Sequence, residues 1–122
     1  MCHHPLINLV NMNYPALLVA GDLWEAVQLF DRMDSTVLPV VQEEIFVGLL
    51  YREDLENCLN AGANKTIRQL TTRQVVYLSP ENTVEEALEL FHNSDQSVVP
   101  VIWAGGYFAG MLQREVVERY VK

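Results

Sequence analysis

The 122-residue chain has little of what marks secreted or membrane-spanning proteins. It contains only two cysteines, Cys2 and Cys58, and their spacing suggests no disulfide framework, which favours a reducing, cytoplasmic location. The longest apolar stretches, such as residues 15–20, are far too short to span a bilayer, and no secretory signal opens the chain. We therefore expect no direct insertion into a membrane.

Basic residues and catalytic motifs are also scarce. There are 8 lysines and arginines against 16 acidic residues, which gives a formal charge of −8. A surface with this balance repels phosphate backbones and argues against nucleic-acid binding, although it does not exclude one local pocket for a single nucleotide. The sequence has no Gly-x-Ser-x-Gly elbow, Walker loop, His-Glu-x-x-His or Cys-x-x-Cys motif. We predict that the chain is not an enzyme.

Residues that could bind a metal ion are few and scattered. Histidine and thiolate side chains are the usual zinc ligands. His3 and His4 lie beside Cys2 at a terminus, while Cys58 and His92 are isolated in the sequence. We therefore predict no metal site.

An internal repeat spans nearly the whole chain. Residues 23–55 read LWEAVQLFDRMDSTVLPVVQEEIFVGLLYREDL, and residues 84–117 read VEEALELFHNSDQSVVPVIWAGGYFAGMLQREVV. The coinciding pairs include Ala26 and Ala87, Phe30 and Phe91, Pro39 and Pro100, Gly48 and Gly110, and Arg52 and Arg114. A weaker match extends upstream, where Leu6-x-x-Leu9 lies opposite Ile67-x-x-Leu70. We assign repeat 1 to residues 1–62 and repeat 2 to residues 63–122. Two halves this small are marginal alone and would hide enough surface only by packing together.

Hydrophobic periodicity and capping residues predict the order strand, helix, strand, strand, helix in each repeat. The predicted strands are residues 16–19, 37–41 and 45–50 in repeat 1, and residues 75–78, 98–102 and 107–112 in repeat 2. The predicted helices start at the N-cap Asp22, at Tyr51, at the Thr83–Glu86 capping box and at Gln113.

Two local features qualify these strands. Pro39 and Pro100 lack the N–H that a central strand needs, so we expect edge strands or irregular starts. Gly105-Gly106 gives a hairpin turn directly, whereas repeat 1 has the poorer turn sequence Gln42-Glu43-Glu44.

The doubled, ordered set of elements resembles the tandem CBS-domain pair, or Bateman module. The residues that carry the resemblance are Glu25-Ala26, Phe30, residues 37–41, Gly48-Leu49-Leu50 and residues 52–55 in repeat 1, and Glu86-Ala87, Phe91, residues 98–102, residues 110–112 and Arg114 in repeat 2. The resemblance implies an α+β fold of two βαββα repeats in a pseudo-twofold pair with facing sheets. It also implies two clefts and a homodimer of modules.

The resemblance further implies a non-catalytic, regulatory function. Many family members bind AMP, ADP, ATP or S-adenosylmethionine and regulate an attached or partner enzyme, channel or transporter. The chain is then either the cytoplasmic, regulatory portion of a larger protein, such as a membrane transporter, or a small independent protein.

The two repeats differ where nucleotide-binding members carry Gly-h-h-Thr/Ser-x-x-Asp, with h an apolar residue. Repeat 1 keeps the acidic residue as Asp54, but Tyr51 replaces the small hydroxyl residue. Repeat 2 has Gln113 and Val116 at the two positions, and valine cannot accept a hydrogen bond from ribose. We therefore place the ligand site in the cleft of Asp54.

The predicted ligand-binding residues are Asp54, Tyr51, Arg52, Gly48 and Arg114, with apolar walls from Leu17, Leu38, Pro39 and Leu49. Asp54 is interpreted either as a ribose anchor or as a solvated residue at a helix start. Tyr51 either stacks on a base or fills the ligand space. The two arginines either meet phosphates or form surface ion pairs with neighbours such as Glu53 and Glu115.

The leading functional hypothesis is a regulatory module that senses an adenosine-type ligand. The alternative is a ligand-free dimerisation or assembly module whose nucleotide sites are degenerate, because Tyr51, Gln113 and Val116 replace the usual anchors. Trp24 and Trp103 occupy positions that the repeat does not share, and they serve either core packing or a partner surface.

Overall fold

The computed structural model describes residues 5–121 and shows a mixed α/β protein with two compact units. The first unit is Pro15–Val75. The second unit combines the described residues up to Tyr14 with those from Val76 onward. Among the described residues, no helix has the length and apolar character needed to cross a membrane.

The elements follow the predicted order closely. The first unit contains β1 (Leu17–Leu18), α1 (Leu23–Arg32), β2 (Val37–Gln42), β3 (Ile45–Tyr51), α2 (Arg52–Asn60) and the one-turn helix α3 (Ile67–Leu70). The second unit contains a 3₁₀ helix (Leu6–Leu9), α4 (Val84–His92), β4 (Val98–Ile102), β5 (Phe108–Gln113) and α5 (Arg114–Tyr120). The prediction of two similar mixed repeats is confirmed.

The first long helix of each repeat starts where the capping residues predict. The carboxylate of Asp22 accepts a hydrogen bond from the backbone N–H of Glu25 at 3.0 Å, which satisfies a donor that α1 leaves unpaired. Thr83 and Glu86 form the reciprocal capping box of α4, at 3.1 and 2.8 Å. Both helices then bury an alanine and a phenylalanine one turn apart, namely Ala26 with Phe30 and Ala87 with Phe91.

The prolines sit inside the sheets, and the expectation for Pro39 is wrong. The sheet order is β1-β2-β3, so β2 is a central strand. In the second unit, the carbonyl of Pro100 accepts a hydrogen bond from Leu78 N–H, on the side away from β5. The missing N–H of this proline therefore removes no hydrogen bond between β4 and β5. Pro39 has the equivalent register, opposite Leu49.

The first predicted strand of each repeat is shorter than the sequence indicates. In repeat 1 it contracts to Leu17 and Leu18, which pair in parallel with Val40 and Val41. The strand predicted at residues 75–78 is wrong, because only Leu78 forms a parallel bridge, to Val101. A short apolar run is compatible with a single bridge as well as with a strand, since one residue can satisfy both of its backbone groups.

The weak sequence match between residues 6–9 and 67–70 corresponds to similar local structure. Leu6 and Ile67 start equivalent one-turn helices, and both side chains are fully buried. Asn11 then pairs with Met111 through two backbone hydrogen bonds of 2.8 and 3.2 Å. Thr72 pairs with Leu49 in the same way, at 2.8 and 2.9 Å. Each of these edge segments, 6–11 and 67–72, belongs to the unit that contains the other repeat's strands.

Glycine allows the edge segments to approach the strands. A Cβ on Gly48 would lie 2.3 Å from the carbonyl oxygen of Thr72. A Cβ on Gly110 would lie 2.5 Å from the carbonyl oxygen of Asn11. Carbon and oxygen atoms cannot approach so closely, and backbone cannot move as easily as the end of a side chain. Only glycine lets a segment pair with the strand at these positions.

We predict that Gly48→Ala and Gly110→Ala each destabilise the protein by about 1–3 kcal/mol, because the added methyl group displaces the paired segment. Thermal unfolding followed by circular dichroism would measure the loss. The control is Gly21→Ala, where the nearest obstacle is the mobile carboxylate end of Glu25. Equal melting temperatures for Gly48→Ala and the control would contradict the steric argument.

The hairpin turn between β2 and β3 is backbone-strained. Gln42 pairs with Ile45, which leaves a two-residue loop of Glu43 and Glu44 with positive φ values of 50° and 72°. A two-residue loop with φ above zero at both positions favours Asn-Gly. In glutamate this conformation is strained, because it brings Cβ close to the following carbonyl oxygen. In the second unit, Gly105 and Gly106 supply positive φ without that cost.

We predict that Glu43→Asn combined with Glu44→Gly stabilises the protein by about 1 kcal/mol, since both new residues favour the observed backbone. Removal of two negative charges from an acidic chain is a separate effect. The variant with Gln at both positions controls for it. If the Gln variant unfolds at the same temperature as the Asn-Gly variant, charge rather than backbone strain explains the gain.

Candidate functional site

An open pocket of about 350 Å³ lies in the first unit beside α2 and α3. Its lining residues are Asp54, Asn57, Cys58 and Ala61 from α2 and its end, Ala63 and Lys65 from the following loop, and Gln69 and Leu70 from α3. Asn57 and Cys58 follow Asp54 by three and four residues, about one helical turn, so both lie near Asp54 on the helix surface. The pocket thus contains the acidic residue that the sequence singled out.

Asp54 lies in the first turn of α2, with an exposed side chain. The N-cap residue Tyr51 makes no side-chain capping hydrogen bond, so the carboxylates of Glu53 and Asp54 provide the favourable charge at this helix end. Asp54 forms no hydrogen bond or ion pair with any other residue in the range 5–121. Its two oxygens can therefore accept hydrogen bonds from a ligand.

Lys65 and Gln69 add donors to the same pocket. Lys65 is exposed, and none of the described residues forms an ion pair with it. Gln69 uses its side-chain carbonyl to accept from Thr66 N–H at 2.9 Å in a capping box. Its side-chain amide nitrogen remains a donor. The pocket therefore combines an anionic acceptor with a cationic and a neutral donor.

Cys58 fixes the loop that closes the pocket. Its thiol is buried and donates a hydrogen bond to the Ala63 carbonyl at 3.4 Å. Gly62 has a φ of +66°, which reverses the chain after α2 and brings Ala63 back over the helix end. The N–H of Ala63 donates to the Cys58 carbonyl at 3.1 Å. These contacts hold the loop from which Lys65 projects.

Arg52 forms a first clamp at the end of α1. Its Nη2 donates to the carbonyls of Phe30 and Met33 at 2.7 and 2.9 Å, and its Nε donates to the carbonyl of Ser35 at 3.0 Å. The guanidinium lies 5.0 Å from the centroid of the Phe30 ring. Carbonyls at a helix C-terminus lack partners within the helix and carry partial negative charge, so a cation suits them well.

Arg114 forms the second clamp, at the end of α4. Its Nη2 donates to the carbonyls of Phe91 and Ser94, the latter at 2.8 Å, and its guanidinium lies 5.5 Å from the Phe91 ring centroid. The buried Nε has no hydrogen-bond partner among the described residues. The second clamp therefore engages two carbonyls where the first engages three.

The clamps change the interpretation of both arginines. The sequence offered phosphate contacts or surface ion pairs with Glu53 and Glu115. Instead, both guanidinium groups bind helix-end carbonyls, and Glu115 pairs with Arg119 at 2.8 Å. The ion-pair interpretation is wrong because Arg52 and Arg114 fold back on their own units. The geometry gives them a structural role.

The predicted apolar walls lie elsewhere. Leu17, Leu38 and Leu49 are at most 4% exposed and belong to the hydrophobic core, and Pro39 is buried in β2. Gly48 is buried beneath Thr72. None of these residues lines the pocket of Asp54. Their assignment to a ligand cleft stays a prediction.

Sequence reasoning missed Lys65 and Gln69. They lie outside the repeated motifs, and only the return of the loop over α2 brings them beside Asp54. The one available signal was the match of Ile67-x-x-Leu70 to Leu6-x-x-Leu9, which marked α3 as a structured element. No group of three or more histidine, cysteine or acidic side chains suited to a metal ion occurs within residues 5–121. Cys2, His3 and His4 lie outside the described residues.

Residues 67–120 match the family model described as the CBS domain. These residues cover α3 and most of the second repeat, including the capping box of α4 and the second clamp.

Solved structures resemble the whole chain. CBSX2 from Arabidopsis thaliana has 19% identity and a TM-score of 0.84, with 98% of this chain and 95% of that chain covered. CBSX2 in complex with AMP has 20% identity and a TM-score of 0.81, covering 97% and 96%. A CBS domain protein from Streptococcus pneumoniae TIGR4 has 25% identity and a TM-score of 0.79, covering 93% and 84%. Structural similarity at these sequence identities shows that the chain shares the fold of these proteins.

Proposed function

The chain contains a CBS domain at residues 67–120 and has the fold of CBS-pair proteins, and from this premise we propose that it is a non-catalytic regulatory module that binds an adenosine nucleotide. The module acts as a cytoplasmic homodimer and modulates an attached or partner enzyme, channel or transporter. The ligand can exert this control only by binding one arrangement of the module more tightly than another.

The observation that carries the proposal is the shared pocket of Asp54 and Lys65. A carboxylate accepts two hydrogen bonds and suits the diol of a ribose. An ammonium group suits a phosphate. One pocket therefore offers both polar contacts that a nucleoside phosphate requires.

Among the candidate ligands AMP, ADP, ATP and S-adenosylmethionine, charge favours AMP over the other two nucleotides. Lys65 is the single cation in the lining, and the first clamp engages the guanidinium of Arg52 with carbonyls. The chain carries a formal charge of −8, so each further phosphate adds repulsion without adding a cation. A monophosphate gains the contact with Lys65 at the smallest electrostatic cost. One solved relative in fold, CBSX2, is itself described as a complex with AMP.

We predict that AMP binds more tightly than ATP, and that Asp54→Asn and Lys65→Met each weaken AMP binding about tenfold, the loss of one charged contact of about 1.4 kcal/mol. Isothermal titration calorimetry would measure the dissociation constants. The controls are Asp31→Asn and Arg68→Met, which remove exposed charges outside the pocket. Absence of binding at millimolar ligand, or equal effects of the control substitutions, would refute the site.

A second candidate function is a ligand-free dimerisation or assembly module. Exposed aromatic side chains favour it: Trp24 is 64% exposed on the first unit, and Trp103 and Tyr107 are 46% and 51% exposed on the second. Large exposed apolar side chains are enriched where proteins bind partners.

We predict for this second function that the chain sediments as a dimer without ligand, and that Trp24→Gln or Trp103→Gln shifts the equilibrium toward monomer. Sedimentation velocity over a hundredfold range of concentration would detect the shift. The control is Tyr120→Gln, which replaces an aromatic side chain at the exposed end of α5. A monomer at every concentration would eliminate this function.

A further inference from the structure

We propose that Arg52 is a positioning residue for Asp54: by clamping the start of α2 to the end of α1, it fixes the carboxylate that meets the ligand. This inference rests on the proposed function, because it assigns Arg52 a role in the same site. It replaces the direct phosphate contact suggested by the sequence with an indirect action through the backbone.

The first step is the position of Arg52 in the chain. It is the first residue of α2, two residues before Asp54. Its backbone N–H donates to the Thr36 carbonyl at 2.8 Å, and its side chain donates to three further carbonyls between residues 30 and 35. Four hydrogen bonds therefore connect the first residue of α2 to the end of α1 and the turn that follows.

The second step is that the N-cap residue gives this helix end no side-chain cap, so the clamp adds to the support that the pairing of Tyr51 in β3 and the buried Leu55 already provide. Tyr51 supplies no side-chain cap, and Asp54 makes no hydrogen bond or ion pair with a described residue. A side chain on a helix is carried by its backbone, so the direction of Asp54 depends on how firmly the first turn is held. A planar guanidinium with several donors in fixed directions holds it better than an ammonium could.

The third step is an internal comparison. The second clamp has the same ring contact and the same backbone hydrogen bond, from Arg114 N–H to the Ser97 carbonyl at 2.8 Å. Two residues after Arg114 the chain has Val116, which cannot accept a hydrogen bond from a ligand. Arg114 therefore supports folding alone, whereas Arg52 supports folding and also orients an acceptor.

A double-mutant cycle on the full chain tests the proposal. The variants are Arg52→Lys, Asp54→Asn and their combination, with Arg114→Lys as the matched control. AMP affinity is measured by calorimetry at a temperature where circular dichroism shows every variant folded. We expect Arg52→Lys to weaken AMP binding about fivefold to tenfold when Asp54 is present, and less than twofold when Asn replaces it, since coupled residues are not additive. Arg114→Lys should lower the melting temperature while leaving AMP affinity within twofold.

Two results would overturn the proposal. An equal loss of affinity from Arg52→Lys in both backgrounds would mean that Arg52 does not act through Asp54. An equal loss from Arg114→Lys would mean that weaker folding alone reduces binding.

Backbone amide chemical shifts separate this inference from the proposed function. With AMP absent, Arg52→Lys should shift the amides of Glu53, Asp54 and Leu55, while Arg114→Lys leaves them unchanged. Unchanged shifts in Arg52→Lys would overturn the positioning role even if AMP binds. Failure of the wild-type chain to bind any adenosine compound would refute the proposed function, and the amide shifts would still decide whether Arg52 orients Asp54.

Discussion

Both units depend on the close passage of a peptide segment across a glycine. An isolated hairpin such as β4–β5 is marginally stable in water and gains stability when further main chain pairs with it. The segment beside Gly110 provides that pairing through Asn11 and also delivers Leu6, which is fully buried in the second core. The segment beside Gly48 does the same with Thr72 and Ile67. A single missing Cβ thus permits both sheet extension and core completion.

The arginine clamps connect the helices within each unit, as the edge segments connect to the strands. In each unit a guanidinium at the start of the closing helix donates to carbonyls at the end of the preceding long helix, so one side chain satisfies that helix end and connects it to the closing helix. The glycine contacts and the arginine clamps are nearly the same in the two units, while the polar side chains near the closing helices differ. Asp54 offers an acceptor where Val116 offers none, and Lys65 joins Asp54 through the loop that follows α2. The two units thus share the supporting contacts and differ in the polar residues placed near them.

Local signals account for most of the fold that the sequence predicted. Asp22 and the Thr83–Glu86 pair are caps whose hydrogen bonds involve neighbours within four residues, so a one-dimensional pattern suffices to place them. The strand expected at residues 75–78 failed because apolar runs do not reveal how many residues pair. The candidate site was predicted only as far as Asp54. The partners of Arg52 lie 17 to 22 residues away, and the loop carrying Lys65 folds back on α2, so neither contact has a signature at fixed spacing.

The exchange of edge segments also sets the order in which the molecule can be built on the ribosome. The first unit is continuous from Pro15 to Val75, so it can close once Thr72 has emerged. The segment of Leu6 is translated before the first unit, but Met111, which pairs with Asn11, is synthesised about 100 residues after Asn11, roughly 5–20 s at typical translation rates. Between the emergence of Thr72 and that of Met111, the first unit can be closed while the segment of Leu6 still lacks its pairing partner. Residues 6–11 are therefore translated before the first unit but can complete their native pairing only after that unit has closed.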